Sequence, residues 1–222
     1  MSFQVSGKAV TLYRSTSSDS PLIVLNTYTG DGSSVAQELE KLGPPEHHLL
    51  VIGNLEWNVD MCPWDSPALS KRDAPCFGGA DAYLNLLETE IIPQTRNFLP
   101  GSPPWMGIAG YSLAGLFAIY ALFRSNLFSR AASVSGSLWY PHFGEFVCNS
   151  KMKKLPEKLY YSLGDQEART RHPILRTVQE NTESVYAHCM NLGIPVSFEM
   201  NVGNHFKEPA LRTAKGILSI LA

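Results

Sequence analysis

Short apolar segments alternate regularly with longer segments of helical periodicity along this chain, and this alternation leaves few possible folds. The apolar segments predict strands at residues 10–13, 22–25, 49–52, 107–109, 131–134, 159–163 and 196–202. The periodic segments predict helices after Gly32 and at residues 81–98, 113–123, 173–192 and 206–221. Strands that alternate with helices form a mostly parallel sheet with helices on both faces. The sequence therefore predicts a single three-layer α/β domain over residues 1–222.

Composition and charge exclude several classes of protein. Of the 222 residues, 44% are apolar and 17% are charged, which is typical of a globular domain. The formal net charge is -2 without a long run of one sign, so we expect no binding to nucleic acid or to an anionic membrane. The longest apolar run, residues 113–123, is about half of the ~20 residues that a membrane span needs. Residues 1–8 lack a secretory pattern, which predicts a cytoplasmic protein with four reduced cysteines.

A short motif at the end of one predicted strand points to nucleophilic chemistry. The strand at 107–109 runs into Gly110-Tyr111-Ser112-Leu113-Ala114 and then into an apolar helix. This is the G-x-S-x-G nucleophile elbow of α/β-hydrolases with alanine in the last place. Small residues at 110 and 114 let strand and helix approach closely around a sharp turn. We predict Ser112 as the nucleophile and the Leu113 amide as an oxyanion donor; the alternative is a serine that caps a buried helix.

A histidine and a carboxylate follow the motif in the order that the α/β-hydrolase fold uses, which is serine, acid, histidine. His205 comes after the last predicted strand and opens the final helix, so it is predicted as the general base. The acid should leave the strand at 159–163, where both Asp165 and Glu167 follow Gly164. In many hydrolases of this fold the acid stands three residues after such a glycine, which favours Glu167 over Asp165.

The connections at the same sheet edge predict the rest of the site. In the loop after the strand at 22–25, Asn26-Thr27 takes the place of the usual His-Gly of the fold, which assigns the second oxyanion donor to the amide of Tyr28. Aromatic residues are frequent in the other connections. They predict an aromatic-lined substrate pocket formed by Trp57, Trp64, Trp139 and Tyr140.

In these residues the chain resembles the esterase family that includes the siderophore (enterochelin-type) esterases and the related esterase-D-like serine hydrolases of the α/β-hydrolase superfamily. The resemblance covers most of the chain after residue 22. Its most specific parts are the segment 110–118, Ser135-Gly136-Ser137-Leu138-Trp139, the turn Gly164-Asp165-Gln166-Glu167, and Gly203-Asn204-His205. It implies hydrolysis of carboxylic esters by a Ser–His–acid triad with no metal or other cofactor.

The sequence thus predicts a serine carboxylic-ester hydrolase that forms an acyl-enzyme on Ser112. Its expected partner is a small-molecule ester. Two alternatives use the same residues differently. An acyltransferase would pass the acyl group to an alcohol instead of water, and a hydrolase-like binding protein would hold a ligand without turnover. The filled triad positions make the non-catalytic alternative the weaker of the two.

Overall fold

The computed structural model describes all residues from Met1 to Ala222. Its eight strands are β1 Ser2–Val5, β2 Lys8–Tyr13, β3 Leu22–Asn26, β4 His48–Gly53, β5 Met106–Tyr111, β6 Arg130–Val134, β7 Lys158–Gly164 and β8 Val196–Asn201. Its α-helices are α1 Ser33–Lys41, α2 Trp57–Asp60, α3 Ala80–Leu86, α4 Ile92–Arg96, α5 Leu113–Arg124, α6 Phe143–Asn149, α7 Val178–Asn191 and α8 Pro209–Leu221. A π-helical segment, Leu87–Ile91, joins α3 to α4, and a 3₁₀ turn, Leu175–Thr177, precedes α7.

The strands form one sheet in the order β1-β2-β4-β3-β5-β6-β7-β8. From β4 to β8 neighbouring strands are parallel, whereas β2 pairs antiparallel with β4 and β1 with β2. In a parallel sheet the carboxyl ends of the strands share one edge, so the loops that follow β3, β5, β6, β7 and β8 meet there. This edge holds the residues that the sequence singles out.

Helices cover both faces of the sheet, as the alternation predicts. The larger core lies under α3 to α7, and α5 is buried from Leu113 to Phe123 against β5 and β6. The smaller core lies on the opposite face, where α1 and α8 pack against each other and α8 contacts β5, β6 and β7. The three-layer α/β fold with a mostly parallel sheet is therefore confirmed. None of its helices combines the length and the apolar character that crossing a bilayer requires.

The element boundaries differ from the predictions where turn chemistry intervenes. The last helix begins at Pro209 rather than at residue 206, because proline lacks an amide hydrogen and fits only the first turn. Ser6 and Gly7 both have positive φ, which makes the two-residue turn of a hairpin between β1 and β2. This hairpin and helix α6 were not predicted. Each is a short element whose place is set by the neighbour it packs on.

Candidate active site

The backbone at Ser112 forms the sharp turn that the elbow motif predicts. Ser112 has φ 59° and ψ -123° between the end of β5 and the start of α5, a conformation that costs energy for a residue with a side chain. A Cβ on Gly110 would lie 2.4 Å from the backbone carbonyl of Ala114, so only glycine fits there. The amide of Ser112 donates to the Val134 carbonyl at 3.1 Å, which ties the turn to β6.

His205 lies beside this turn, in the loop between β8 and α8. Its Nε2 is 3.1 Å from Ser112 Oγ, which is within hydrogen-bonding distance. The Tyr111 hydroxyl donates to the backbone carbonyl of His205 at 2.6 Å, and the two rings lie 5.3 Å apart between centroids. The imidazole is thus held from one side by a residue adjacent to the serine. About 30% of the His205 side chain remains exposed, so the ring faces an open cleft.

Glu167 contacts the other nitrogen of the same imidazole. Its Oε2 is 2.7 Å from His205 Nδ1, and the carboxylate is only 4% exposed. Burial raises the pKa of Glu167, but the hydrogen bond and charge of His205, together with donors from Ser135 and Gly164, hold this pKa below its usual value. Glu167 is therefore ionised at neutral pH. Asp165, the alternative carboxylate, instead accepts a hydrogen bond from the Gly203 amide at 2.7 Å.

The two amides predicted as oxyanion donors belong to the residue after Ser112 and to a loop that lines one cavity together with Ser112. Leu113 is the first residue of α5, where helical amides have no partner within the helix. Tyr28 lies in the loop after β3, and its amide makes no hydrogen bond within the protein. Tyr28 as a whole residue is 69% exposed, and its ring meets the Trp57 ring edge-on at 5.2 Å.

Two cavities open on either side of Ser112 and His205. The first, of about 430 Å³, is lined by Tyr28, Val35, Trp57 and Phe206, among others. The second, of about 330 Å³, contains Trp139 and has Gln166, Arg169, Thr170 and Asn204 in its wall. Of the four aromatic residues predicted for the pocket, Trp57 and Trp139 line these cavities.

The pocket prediction is wrong for Trp64 and Tyr140, which lie outside both cavities. Tyr140 is 1% exposed and donates its hydroxyl hydrogen to the Trp64 carbonyl. Trp64 packs against Phe143 and Phe146 of α6 and donates Nε1–H to the Pro141 carbonyl at 3.0 Å. The unpredicted helix α6 explains the difference, because its two phenylalanines cover the Trp64 ring, and Tyr140 packs edge-on against that ring at 5.8 Å.

Three residues at the site were not assigned roles from the sequence. Ser137 Oγ lies 3.2 Å from Ser112 Oγ, and the Ser135 hydroxyl donates to Glu167 Oε1 at 2.7 Å. Both serines belong to the Ser135-Gly136-Ser137 turn that the family resemblance marked, which was the available signal. Arg212, on α8, had no such signal, yet its guanidinium lies 3.3 Å from Glu167. No cluster of three or more His, Cys, Asp or Glu side chains in the structure could hold a metal ion.

Comparison with solved structures agrees with this architecture. The chain superposes on the siderophore hydrolase EstA from Aspergillus nidulans with a TM-score of 0.77 and 17% identity, covering 100% of this chain and 93% of EstA. It also matches an IroE-like serine hydrolase from Shewanella oneidensis, with a TM-score of 0.73 and 20% identity over 95% of this chain and 73% of that one. At such identities the likeness shows a shared fold.

Sequence comparison identifies the family. The chain is 27% identical over 196 residues to the uncharacterized protein YbbA of Bacillus subtilis (strain 168), which covers 81% of this chain and 78% of YbbA. The family model Esterase, described as "Putative esterase", matches residues 41–184. That segment is more than half of the 222 residues and includes the elbow and the Glu167 turn. By this match, the chain belongs to the Esterase family.

Proposed function

We propose that this protein hydrolyses carboxylic esters through an acyl-enzyme on Ser112, with His205 as general base and Glu167 as the acid of the triad. The observation that carries the proposal is the unbroken path from Ser112 Oγ to His205 Nε2 at 3.1 Å and from His205 Nδ1 to Glu167 Oε2 at 2.7 Å. Membership in the Esterase family supports ester hydrolysis as the reaction.

In the acylation step, His205 Nε2 takes the proton of Ser112 while Oγ forms a bond to the ester carbonyl carbon. Negative charge develops on the carbonyl oxygen, and the amides of Leu113 and Tyr28 stabilise it by hydrogen bonds. The ionised Glu167 stabilises the imidazolium. When the tetrahedral intermediate collapses, the bond to the leaving alcohol breaks and that oxygen receives the proton from His205.

Deacylation repeats these steps with water. His205 removes a proton from a water molecule, whose oxygen attacks the carbonyl of the acyl-Ser112. The Ser112 Oγ then leaves and regains the proton from His205, so that carboxylic acid and free enzyme result. The exposed side of the His205 ring faces the cleft, which gives water a route to this nitrogen.

The first cavity indicates which group such an ester would present. Its wall combines the rings of Tyr28, Trp57 and Phe206 with the side chain of Val35, and its volume of about 430 Å³ fits a group of drug-like size. Aromatic walls contribute apolar contact area and ring stacking. We therefore expect better turnover of esters that carry an aromatic or branched apolar group than of acetates.

The proposal is tested with Ser112→Ala and a matched control, Ser133→Ala. Ser133 is a buried serine on β6 whose hydroxyl has no hydrogen-bond partner. Both variants and the wild type are assayed with p-nitrophenyl acetate and p-nitrophenyl benzoate. We expect Ser112→Ala to lose kcat by roughly 10⁴-fold or more, as loss of a triad nucleophile does, and Ser133→Ala to stay near the wild type.

Covalent labelling gives the second measurement. A fluorophosphonate probe reacts with an activated serine, so peptide mass spectrometry of the wild type should find the adduct on Ser112. Undiminished turnover by a folded Ser112→Ala, or a wild type that is neither active nor labelled at Ser112, would contradict the proposed function.

A further inference from the structure

The two oxygens of Glu167 are bound very differently. Oε2 faces only the His205 ring, whereas Oε1 accepts three donors: the Gly164 amide at 2.6 Å, the Ser135 hydroxyl at 2.7 Å and Arg212 Nη1 at 3.3 Å. Hydrogen bonds to an ionised group are stronger than those between neutral groups. One oxygen is therefore fixed to the protein, and this leaves the other free to accept from the imidazole.

Arg212 is the least expected of these donors because its side chain is only 2% exposed. Burying a charge costs free energy, and a buried ion pair often adds little net stability to the fold. A buried arginine at this position therefore suggests a role other than stabilising the fold. Glu167 is the carboxylate within 4 Å of it. Gly164 makes room for the pair, since a Cβ there would lie 3.0 Å from Arg212 Nη1 and 2.2 Å from the Gly203 carbonyl.

Arg212 also connects to the other parts of the site. Nη1 is 3.3 Å from Ser135 Oγ and 3.4 Å from the Tyr111 hydroxyl, which itself donates to the His205 carbonyl. Nη2 donates to the Val202 carbonyl at 3.1 Å, just before the His205 loop. One guanidinium thus contacts the acid, the serine that holds the acid and the tyrosine that holds the base.

The Ser135 backbone is shaped for its contact. It has φ 43°, a left-handed conformation that is uncommon for residues with a side chain, and its amide donates to the Ser162 carbonyl on β7 at 2.8 Å. Gly136 follows, where a Cβ would lie 2.1 Å from Ser133 Oγ. The turn after β6 therefore combines backbone strain with a required glycine, and together they aim one hydroxyl at Glu167.

We propose that Arg212 and Ser135 are positioning residues, which hold Glu167 Oε1 so that Oε2 keeps the His205 ring in its Nδ1–H tautomer with Nε2 facing Ser112. This inference rests on the proposed function for its kinetic consequence, but the geometry of the Glu167–His205 pair exists whether or not an ester is turned over.

The kcat and KM values of four variants test whether the donors to Glu167 Oε1 contribute to turnover. Ser135→Ala removes one donor to Oε1. Ser133→Ala is the control, because Ser133 is a buried serine two residues earlier whose hydroxyl has no hydrogen-bond partner. Loss of one hydrogen bond to a charged group should lower kcat by roughly tenfold, with KM within about twofold of the wild type. Arg212→Met should lower kcat by roughly a hundredfold, and Arg212→Lys, which keeps the charge, should recover part of that loss.

An NMR measurement tests the geometry without any substrate. Ring ¹⁵N shifts at alkaline pH report which nitrogen of a neutral histidine carries the hydrogen, and the His205 signals are those missing from His205→Asn. The wild type and Ser133→Ala should show the Nδ1–H tautomer at His205. Ser135→Ala and Arg212→Met should show a mixture with Nε2–H.

The outcomes separate the two proposals. An unlabelled, inactive wild type with an Nδ1–H ring at His205 would contradict the proposed function while leaving the positioning role intact. An active wild type whose kcat and His205 tautomer are the same in Ser135→Ala would overturn the positioning role. If Arg212→Met fails to fold by circular dichroism, the comparison of Ser135→Ala with Ser133→Ala decides.

Discussion

Replacing Glu167 by glutamine tests the site at its most constrained atom. Three donors point at Oε1, so the amide oxygen of the introduced glutamine should take that place and its NH₂ group should face His205 Nδ1. Two donors cannot face each other, so the neutral ring would shift to the Nε2–H tautomer, which cannot accept the Ser112 proton. The substitution therefore removes the charge and also reverses the ring's hydrogen.

The loss of the Glu167 charge alone gives a lower bound for the decrease in kcat of Glu167→Gln. Two unit charges about 4 Å apart interact by about 4 kcal/mol at an effective dielectric constant of about 20. In the proposed mechanism the imidazolium forms on the way to the transition state, so this stabilisation would be lost there and not in the ground state. A loss of about 4 kcal/mol corresponds to roughly a thousandfold lower kcat, and the wrong tautomer should lower it further.

The assay is kcat and KM for a p-nitrophenyl ester, with Asp165→Asn as the matched control. Asp165 accepts the Gly203 amide through Oδ1, and an asparagine oxygen can accept the same bond. We expect Glu167→Gln to lose at least about a thousandfold in kcat and Asp165→Asn to stay within about threefold of the wild type. Retention of more than a tenth of wild-type kcat by a folded Glu167→Gln would refute this reasoning, as would an equal loss in both variants.

Three further predictions concern packing, stability and specificity. Gly110→Ala should abolish labelling of Ser112 by a fluorophosphonate, because its Cβ would meet the Ala114 backbone at 2.4 Å. Lys8→Met should lower the free energy of unfolding in urea by about 3 kcal/mol, since it leaves Asp60 buried without its cation, and adding Asp60→Asn should restore part of the loss. Arg169 is the only lysine or arginine in the wall of the second cavity. The free carboxylate of p-nitrophenyl succinate would be attracted by this guanidinium and repelled by a glutamate, so Arg169→Glu should reduce kcat/KM for this ester relative to p-nitrophenyl acetate by about tenfold. An unchanged ratio would argue against contact between Arg169 and the substrate.

Sequence patterns predicted the parts of the site that local chemistry dictates. The Ser112 turn needs small residues at 110 and 114, and this steric requirement is visible in the sequence whatever the rest of the chain does. His205 follows the last strand, and parallel strands bring their carboxyl ends to one edge, so its place beside Ser112 could be expected from chain order.

Other features depended on which elements face each other. Both Asp165 and Glu167 leave β7 within the same turn, and only the approach of the His205 loop distinguishes them in space. Trp64 and Tyr140 stand in connections near the site, but α6 covers Trp64, and Tyr140 is buried beside Trp64. A sequence pattern can predict that a residue is apolar and partly buried, but it does not predict which neighbouring element buries that residue.

Patterns along the chain are enough to predict the three-layer α/β class, the elbow around Ser112 and the chain order of serine, acid and histidine, because periodicity, glycine geometry and turn chemistry are local properties of the backbone. Tertiary structure alone decided which carboxylate reaches His205, which aromatic rings line the cavities, and that Arg212 lies behind Glu167. The contacts of Glu167 with His205 and with Arg212 join residues that are 38 and 45 positions apart in the chain. They depend on the packing of α8 and the His205 loop against the sheet, which no local pattern encodes.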